Sequence, residues 1–484
     1  MKTILINPVS ALVIKSKKYR RGLAALPPLG LAYLGSALEK SGIETIIIDQ
    51  YVDMIDNEKI IKIIKDENPD VVGLSCLTPV MNNVGMLVRS IKELSDDISI
   101  VLGNIHPTLF AEEVLRAGLA DIVVRGEGEV ALPKVVHLRK NFVGLSGIKN
   151  VSYINNKEIF HNPQEENLED IEKLSYPAWH LFDIDKYSKF SLLGLYKRIL
   201  PVQGSRGCSN KCIYCSQDKI YNRVRYRSVN NIIDEIEHLN DKFHINCIGF
   251  NDAYFPFSES QALEFCDVYI SRGLHKKVKW LTETRVDKVN FGVLKRMKEA
   301  GLCLIMYGFE SGNQNILENS GKKTTIIQAI KAMEYTKKLN IRSLGFFMLG
   351  MPGETVQTCR ETIQFAKRLD CDIAKFNITV PYPGSKLFDD LKLKAQSLKE
   401  PDKFTSWYDW LINDGDIVYR PEGISSNREL INLQRKAMFE FYMRPKLIMR
   451  HLFRQTFTCA DLFFGFYILL SGYLRSLTNK LKKI

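Results

Sequence analysis

The sequence predicts an α/β chain made of two successive strand–helix arrays: a doubly wound parallel sheet, then a six-stranded partial barrel, then a helical C-terminal region. Three observations carry this expectation. Short apolar runs alternate with amphipathic stretches through residues 1–140. The same alternation restarts near Leu200 with six further runs. It stops after Lys386, where aromatic and basic residues take over. Regular βα alternation calls for parallel strands joined by helical crossovers.

In the first array the apolar runs are Thr3–Ile6, Glu44–Ile48, Val71–Ser75, Ser99–Gly103 and Ala120–Val124, with amphipathic stretches such as Leu29–Lys40 and Val80–Leu94 between them. A Rossmann-like sheet of this kind takes its ligand beyond the carboxyl ends of its strands. Polar and glycine-rich positions collect there: Asn7-Pro8, Ser75–Pro79, Gly103–Thr108 and Arg125–Glu129. The Gly126-x-Gly128 pair lacks a third glycine and does not open the first βα unit, so no dinucleotide site is expected. Residues 141–195 read as a connector with a few short strands, among them Val151–Ile154.

The second array has apolar runs at Leu200–Gln203, Cys247–Asn251, Val278–Thr282, Cys303–Phe309, Ser343–Leu349 and Ala374–Val380. Helical stretches Val229–Leu239, Glu259–Arg272, Asp287–Ala300, Thr324–Leu339 and Thr355–Leu369 separate them. Ser258 with Gln261 predicts a capping box, and Gly273 and Gly301 predict helix ends. Six such repeats make a partial (β/α)6 barrel of the TIM type, whose active site forms at the carboxyl ends of the strands. Those ends are polar in this chain: Asn251–Phe255, Thr282–Arg285, Gly308–Gly312, Gly350–Glu354 and Pro381–Ser385. Each alone reads as a cap or turn; five in register point to one cavity.

The loop after the first barrel run is Gly204-Ser205-Arg206-Gly207-Cys208-Ser209-Asn210-Lys211-Cys212-Ile213-Tyr214-Cys215. Its Cys-x3-Cys-x2-Cys spacing places three thiolates on one short segment. They can hold three irons of a four-iron cluster and leave the fourth iron open to a ligand that is not protein. Soft sulfur donors select iron–sulfur, zinc or copper(I). A structural zinc site is normally closed by a fourth ligand, but Cys247 falls on a predicted buried strand and no histidine stands at finger spacing. The open cluster is therefore the reading adopted, with a zinc knuckle as its competitor.

The chain has 484 residues, 45% of them hydrophobic and 25% charged, as in an ordinary folded protein with room for a real core. Ten cysteines could suggest disulfides, but outside the loop they are scattered singly in apolar stretches, as buried free thiols are. With a strand-like N-terminus, Met1–Asn7, in place of a signal peptide, this predicts a reducing cytoplasm. The net charge is +12, and residues 424–484 hold 11 Lys and Arg against 3 Asp and Glu. Phe404, Trp407, Tyr408 and Trp410 form an aromatic cluster suited to cap the barrel or to pack in the core. Helices are predicted at Asn427–Met443, Pro445–Thr456 and Leu462–Leu474. The apolar run Leu462–Leu470 is too short to span a bilayer. With Lys and Arg beyond it, it fits peripheral contact at the inner face of the membrane; a helix docked on the protein's own core is the competing reading. No nucleic-acid partner is expected.

Over residues 196–390 the cysteine loop and the strand ends resemble the radical S-adenosylmethionine enzymes. The resemblance implies that Cys208, Cys212 and Cys215 ligate a [4Fe-4S] cluster whose open iron chelates S-adenosylmethionine. It further implies that Tyr214 contacts adenine, that Glu310 and Ser311 lie near the ribose and methionine, that Glu283 and Arg285 lie near the methionyl group, and that Gly350 belongs to a cofactor-binding turn. Pro27–Leu34, Gly103–Thr108 and Arg125–Glu129 look like the cobalamin-binding domain that precedes many of these enzymes. That likeness implies cobalamin contacts at Ser75, Thr78, Gly103, His106, Pro107, Thr108, Gly126 and Glu127. The Asp-x-His-x-x-Gly signature of cobalt-ligating domains is absent, and His106 is not assigned to cobalt.

The implied organisation is 1–140 cobalamin-binding-like, 141–195 connector, 196–390 radical barrel and 391–484 helical, aromatic and basic. The implied activity is anaerobic: hydrogen abstraction by a 5′-deoxyadenosyl radical, followed by methylation or oxidative cyclisation of a small-molecule or lipid substrate. A flavodoxin or ferredoxin would supply electrons. Relatives include methyltransferases, the anaerobic magnesium-protoporphyrin ester cyclase and enzymes acting on hopanoids. The tRNA methylthiotransferase branch expects further N-terminal cluster cysteines, and Cys76 stands alone there. The non-enzymatic alternative is a metal-stabilised module that senses a corrinoid or nucleotide.

Overall fold

A computed structural model describes residues 1–10, 26–165, 170–187, 198–221, 223–397 and 419–453. The aromatic cluster Phe404–Trp410 and the run Leu462–Leu470 lie outside the described residues. The chain divides into two compact units, Met1–Leu192 with Ser216–Arg225 and Tyr382–Gly415, and Leu193–Cys215 with Tyr226–Pro381 and Asp416–Ile484.

The first unit is built on a seven-stranded sheet. Its strands are β1 (Lys2–Asn7), β2 (Glu44–Asp49), β3 (Val71–Ser75), β4 (Ser99–Gly103), β5 (Ile122–Val124), β6 (Val151–Asn155) and β7 (Glu158–His161), in the order β2-β1-β3-β4-β5-β6-β7. The first five pair in parallel. Central strands read as continuous apolar runs because both faces are covered: Ile4, Leu5 and Ile6 are all at most 1% exposed. Helices α1 (Leu29–Lys40), α2 (Asn57–Glu67) and α3 (Met81–Leu94) supply the first three crossovers, the short helices Ile105–Leu109 and Ala111–Arg116 the fourth, and α4 (Ala131–Leu138) follows β5. The order 2-1-3-4-5 puts the topological switch between β1 and β3, where such sheets take ligands.

The five strands of residues 1–140 thus form the expected parallel sheet. The connector strands β6 and β7 add to its edge in antiparallel fashion, β6 against β5 and β7 against β6. Two short strands joined by the turn at Asn156-Lys157 need no helical crossover, so the βα period that announced the other five does not apply to them.

In the second unit six strands run parallel in chain order: β8 (Ile199–Val202), β9 (Cys247–Phe250), β10 (Lys279–Thr284), β11 (Leu302–Glu310), β12 (Arg342–Leu349) and β13 (Ile373–Ile378). Helices α5 (Val229–Phe243), α6 (Glu259–Ser271), α7 (Phe291–Glu299), α8 (Ile326–Lys338) and α9 (Val356–Leu369) follow strands β8 to β12 in turn. Gly273 and Gly301 take left-handed backbone, φ 71° and 98°, and end their helices as expected. Ser258 caps α6 through Gln261 N, but the Gln261 side chain reaches Phe257 N instead of the cap residue, so the predicted box is half formed.

Large rings fill the space between sheet and helices. Trp280 is fully buried, packs against Phe250, Phe255 and Phe265, and donates Nε1–H to the Ala300 carbonyl. Beyond the barrel, α10 (Asn427–Tyr442) lies along β13. Its Gln434 donates to the Phe376 carbonyl, and the Tyr442 hydroxyl accepts from Ala374 N and donates to Ala374 O. The next helix, α11 (Pro445–Phe453), is tied to Asp370 by Arg450 at 2.6 Å. Among the described residues no helix is long and apolar enough to cross a membrane.

Candidate active site

The cysteine loop leaves the carboxyl end of β8, where the barrel period placed it. Gly207 adopts φ 96°, a turn that an L side chain resists. Cys208, Cys212 and Cys215 are outside any disulfide and half-buried, and Asn210 Nδ2 lies 3.4 Å from Cys208 Sγ. Ile213 N donates to Ser320 O, and a Cβ on Gly321 would stand 2.9 Å from the Lys211 carbonyl. The turn at Ser320–Lys322 therefore fixes the loop from below. Asp252, at the end of β9, accepts from Gly204 N at 3.0 Å and from Ser205 Oγ at 2.6 Å, pinning the loop where it starts. Burial pushes the Asp252 carboxyl up to about 7.

Among the described residues no three His, Cys, Asp or Glu side chains gather round a single-ion point. A zinc knuckle needs all its donors about 2.3 Å from one ion. A cubane asks less convergence of its ligands, because each thiolate binds a different iron. The thiols fit the second demand: outside any disulfide, on one loop, and with no fourth donor gathered on them among the described residues. Lys322 stands close enough to oppose, through its charge, the upward push of burial on the Cys212 thiol. A nearby cation of this kind favours thiolate, the form that binds metal.

Lys322 was missed in the sequence. It follows Gly321 in a turn, and no motif marks it, yet it is the partner of Glu310: Nζ to Oε1 is 2.7 Å, with both side chains 10% exposed. Burial pulls the Lys322 pKa down, but Glu310 outweighs it and the pKa stays raised. Glu310 ends β11 in left-handed backbone, φ 61°, which costs a non-glycine residue roughly 1–3 kcal/mol. The pair needs Gly308, where a Cβ would come within 2.5 Å of Glu310 Oε1 and 2.6 Å of Lys322 Nζ. Glu283, at the end of β10, is pushed up to about 7 by burial and by Glu310. Arg285 donates to the Lys322 carbonyl at 2.9 Å and pairs with Asp287. Tyr214 is held well above its ordinary pKa, by burial first.

The structure thus gathers Cys212, Tyr214, Glu283, Arg285 and Glu310 into one charged cluster with Lys322. Ser311 stands apart from it: fully buried, its hydroxyl lies 3.2 Å from Thr362 Oγ1 and accepts from Asn313 N, bonds that build the turn after β11. Gly350, φ 84°, abuts Leu430 and gives its N–H to Glu354. Glu354 is fully buried, accepts also from Met351 N at 2.9 Å, and is pushed up by burial to about 7 against an ordinary 4.5. Between these two values the unfolded chain ionises while the folded carboxyl keeps its proton. Stability is then expected to fall as pH rises from about 4.5 to 7 and to level off above. Thermal melts across that range, with Glu354→Gln showing a flatter slope than wild type, check this; parallel slopes would refute it.

In the first unit three of the expected ligand positions, Ser75, Thr108 and Gly126, are joined through Asn104 into a hydrogen-bonded rim after β3, β4 and β5. Asn104 Nδ2 donates to Ser75 Oγ, Thr108 Oγ1 donates to Asn104 O, and Gly126 N donates to Thr108 Oγ1. Gly103 receives Cys76 N on its carbonyl. Hydroxyls and amides of this kind suit the amide-fringed edge of a corrin. His106 does not offer itself to a metal: it is fully buried, 3.0 Å from Thr78 Oγ1 and packed on Phe110, and burial pulls its pKa down to about 4. The following Pro107 is buried too. Glu127 is committed to a two-pronged pair with Arg225, at 2.7 and 2.9 Å, nearly excluded from water.

A second device had no signal in the sequence. Gln50, Asn57 and Asn83 close a ring of side-chain amides, each bond 2.8 Å, and Val9 is gripped through both its N–H and its carbonyl. The ring fixes the start of the segment that leaves β1, on one side of the switch point.

A barrel with an open thiolate loop and a polar-rimmed parallel sheet together define a radical S-adenosylmethionine enzyme with a cobalamin-binding domain. Comparison with known proteins agrees. Residues 23–136 match the B12 binding domain and residues 202–366 the Radical SAM superfamily. An uncharacterized methyltransferase of Pyrococcus horikoshii, PH0819, is 32% identical over 94% of this chain and 95% of its own length. The anaerobic magnesium-protoporphyrin IX monomethyl ester cyclase of Cereibacter sphaeroides is 30% identical over 76% of this chain and 60% of its own. Among solved structures, the radical S-adenosylmethionine methyltransferase TsrM of Kitasatospora setae, with cobalamin and a [4Fe-4S] cluster bound, superposes with a TM-score of 0.66 at 16% identity, covering 81% of this chain and 75% of that one. The chain belongs to the cobalamin-dependent radical S-adenosylmethionine family of methylases and cyclases. It is an enzyme of that family, with a [4Fe-4S] cluster, S-adenosylmethionine and cobalamin as its cofactors.

Proposed function

We propose that this enzyme methylates an unactivated carbon of a hydrophobic or lipid-like substrate, with Cys208, Cys212 and Cys215 as cluster ligands and Ser75, Asn104, Thr108 and Gly126 at the corrin edge. The observation that carries the reading is the set of three thiols on one loop, none in a disulfide, braced by the turn that holds the buried Glu310–Lys322 pair. Bound there, the cluster supplies the electron that cleaves S-adenosylmethionine, and cobalamin supplies a transferable methyl group. The residues' own tasks are narrower. Lys322 holds negative charge at Cys212 and Glu310, and Arg285 and Asp252 fix the loops. Methyl transfer is favoured over cyclisation because the methyltransferase relative matches nearly end to end, whereas the cyclase shares 60% of its length.

Anaerobic reconstitution tests the proposal. With a chemical reductant in place of a flavodoxin- or ferredoxin-type donor, the enzyme is expected to form 5′-deoxyadenosine only when S-adenosylmethionine is added, and to carry a corrinoid spectrum after growth with hydroxocobalamin. An intact cluster that gives no 5′-deoxyadenosine would sink the radical reading, and a colourless protein the cobalamin reading. The surplus of basic residues after Ile424 further supports peripheral contact with anionic membranes. Flotation of the same preparation with vesicles of anionic and of neutral lipid is expected to lift the chain with the former alone.

A further inference from the structure

The inner wall of the barrel holds a cation that the cluster chemistry does not use. Along β13 burial alternates: Ala374 and Phe376 are buried, Lys375 and Asn377 exposed. Phe376 faces outward, with its ring 6.1 Å from Phe441 of α10 and 5.2 Å from Phe347. Successive strand residues point to opposite faces, so Lys375 and Asn377 face the barrel interior. Their register partners on β12 are Phe346 and Met348, and Lys375 Nζ lies 5.7 Å from the centre of the Phe346 ring. Two rungs of the inner wall therefore pair an apolar residue with a polar one.

Among the described residues no carboxylate lies within ion-pair distance of Lys375, whereas Lys322 is paired with Glu310 and Arg285 with Asp287. Glu283 is the acid whose carboxyl feels Lys375, and Glu310 beside it is already taken by Lys322. Burial and Glu310 push the Glu283 carboxyl up and Lys375 draws it down, but among the described residues no ion pair joins Glu283 to Lys375. Lys375 is also remote from the cysteine loop in the sheet, since β13 and β8 are its opposite edges. An exposed amine beside an aromatic ring, with an exposed amide two residues on, offers the charge and the donors that an oxyanion needs.

We propose that Lys375, helped by Asn377, binds a carboxylate or phosphate of the substrate, whose apolar body then lies against Phe346 and Met348. This rests on the reading of the barrel as a substrate-binding radical site and sharpens it: the substrate is an anionic amphiphile, not a neutral lipid. Its charged end docks on the edge strand and its hydrocarbon reaches inward. Lys375 is thus a specificity residue and takes no part in cleaving S-adenosylmethionine.

The test uses the anaerobically reconstituted full chain with S-adenosylmethionine bound, and three probes of one body: octyl phosphate, octanoate and octanol. Equilibrium dialysis is expected to show at least one anion binding about tenfold or more tighter than the alcohol. Lys375→Gln is expected to erase that preference while leaving octanol and S-adenosylmethionine binding unchanged, and Lys375→Arg to keep most of it. Which anion wins identifies carboxylate or phosphate. A wild type without charge preference overturns the proposal. So does a Lys375→Gln variant that keeps the preference, or one that loses S-adenosylmethionine affinity instead. Formation of 5′-deoxyadenosine without amphiphile, measured alongside, reports separately on the radical reading.

Discussion

Alanine at any one of Cys208, Cys212 or Cys215 is expected to abolish the visible absorption of the reconstituted cluster and to lower 5′-deoxyadenosine formation at least about a thousandfold, about 4 kcal/mol of barrier. The reason is geometric as well as chemical. The three thiols are the soft donors of one loop, and the neighbouring Ser209, Asn210 and Lys211 offer no replacement sulfur. Cys247→Ala is the matched control. That thiol is fully buried on β9 and burial holds its pKa well up, so losing it costs packing and leaves the cluster intact. A loop variant that keeps cluster absorption and turnover, or a Cys247→Ala variant that loses the cluster, would move the metal site elsewhere.

The second large effect concerns the buried pair beside the loop. Lys322→Met leaves the Glu310 carboxylate without its cation, in a place where both side chains are 10% exposed. Removing one partner of a buried pair costs about 3–5 kcal/mol. The variant is expected to unfold about 10 °C earlier and to lose cluster occupancy, because Cys212 loses the cation that most opposes the upward push of its burial. The double variant Glu310→Met with Lys322→Met separates the two roles. It is expected to recover most of the stability, since no charge is left stranded, but not the turnover. Recovery of both would show that the pair serves folding alone.

The barrel was legible because its alternation is regular. Predicted apolar runs and observed strands differ by three residues or fewer at either end, and α9 begins one residue after its predicted start and ends where expected. The cysteine loop was legible because spacing alone declares three donors. What stayed hidden depends on distance in the chain. Lys322 meets Glu310 across a 12-residue separation, and Asn83 meets Gln50 across 33, with no periodicity to announce either. Short antiparallel strands such as β7 have too few residues to show a period. Ser311 and Glu127 look like ligand positions in one dimension and are spent on turns and ion pairs in three.

An open barrel also has a colloidal problem. A closed ring of strands satisfies every backbone group, but a six-stranded arc ends in β13 with amides and carbonyls that another chain could pair with. Gln434 and Tyr442 occupy those positions with side-chain groups, as a dummy strand would. Helix α10 therefore acts as a guard against self-association. A catalytic fragment cut at the end of β13 would keep its cysteines and still present a sticky edge, so fragments of this enzyme should be drawn to include Tyr442.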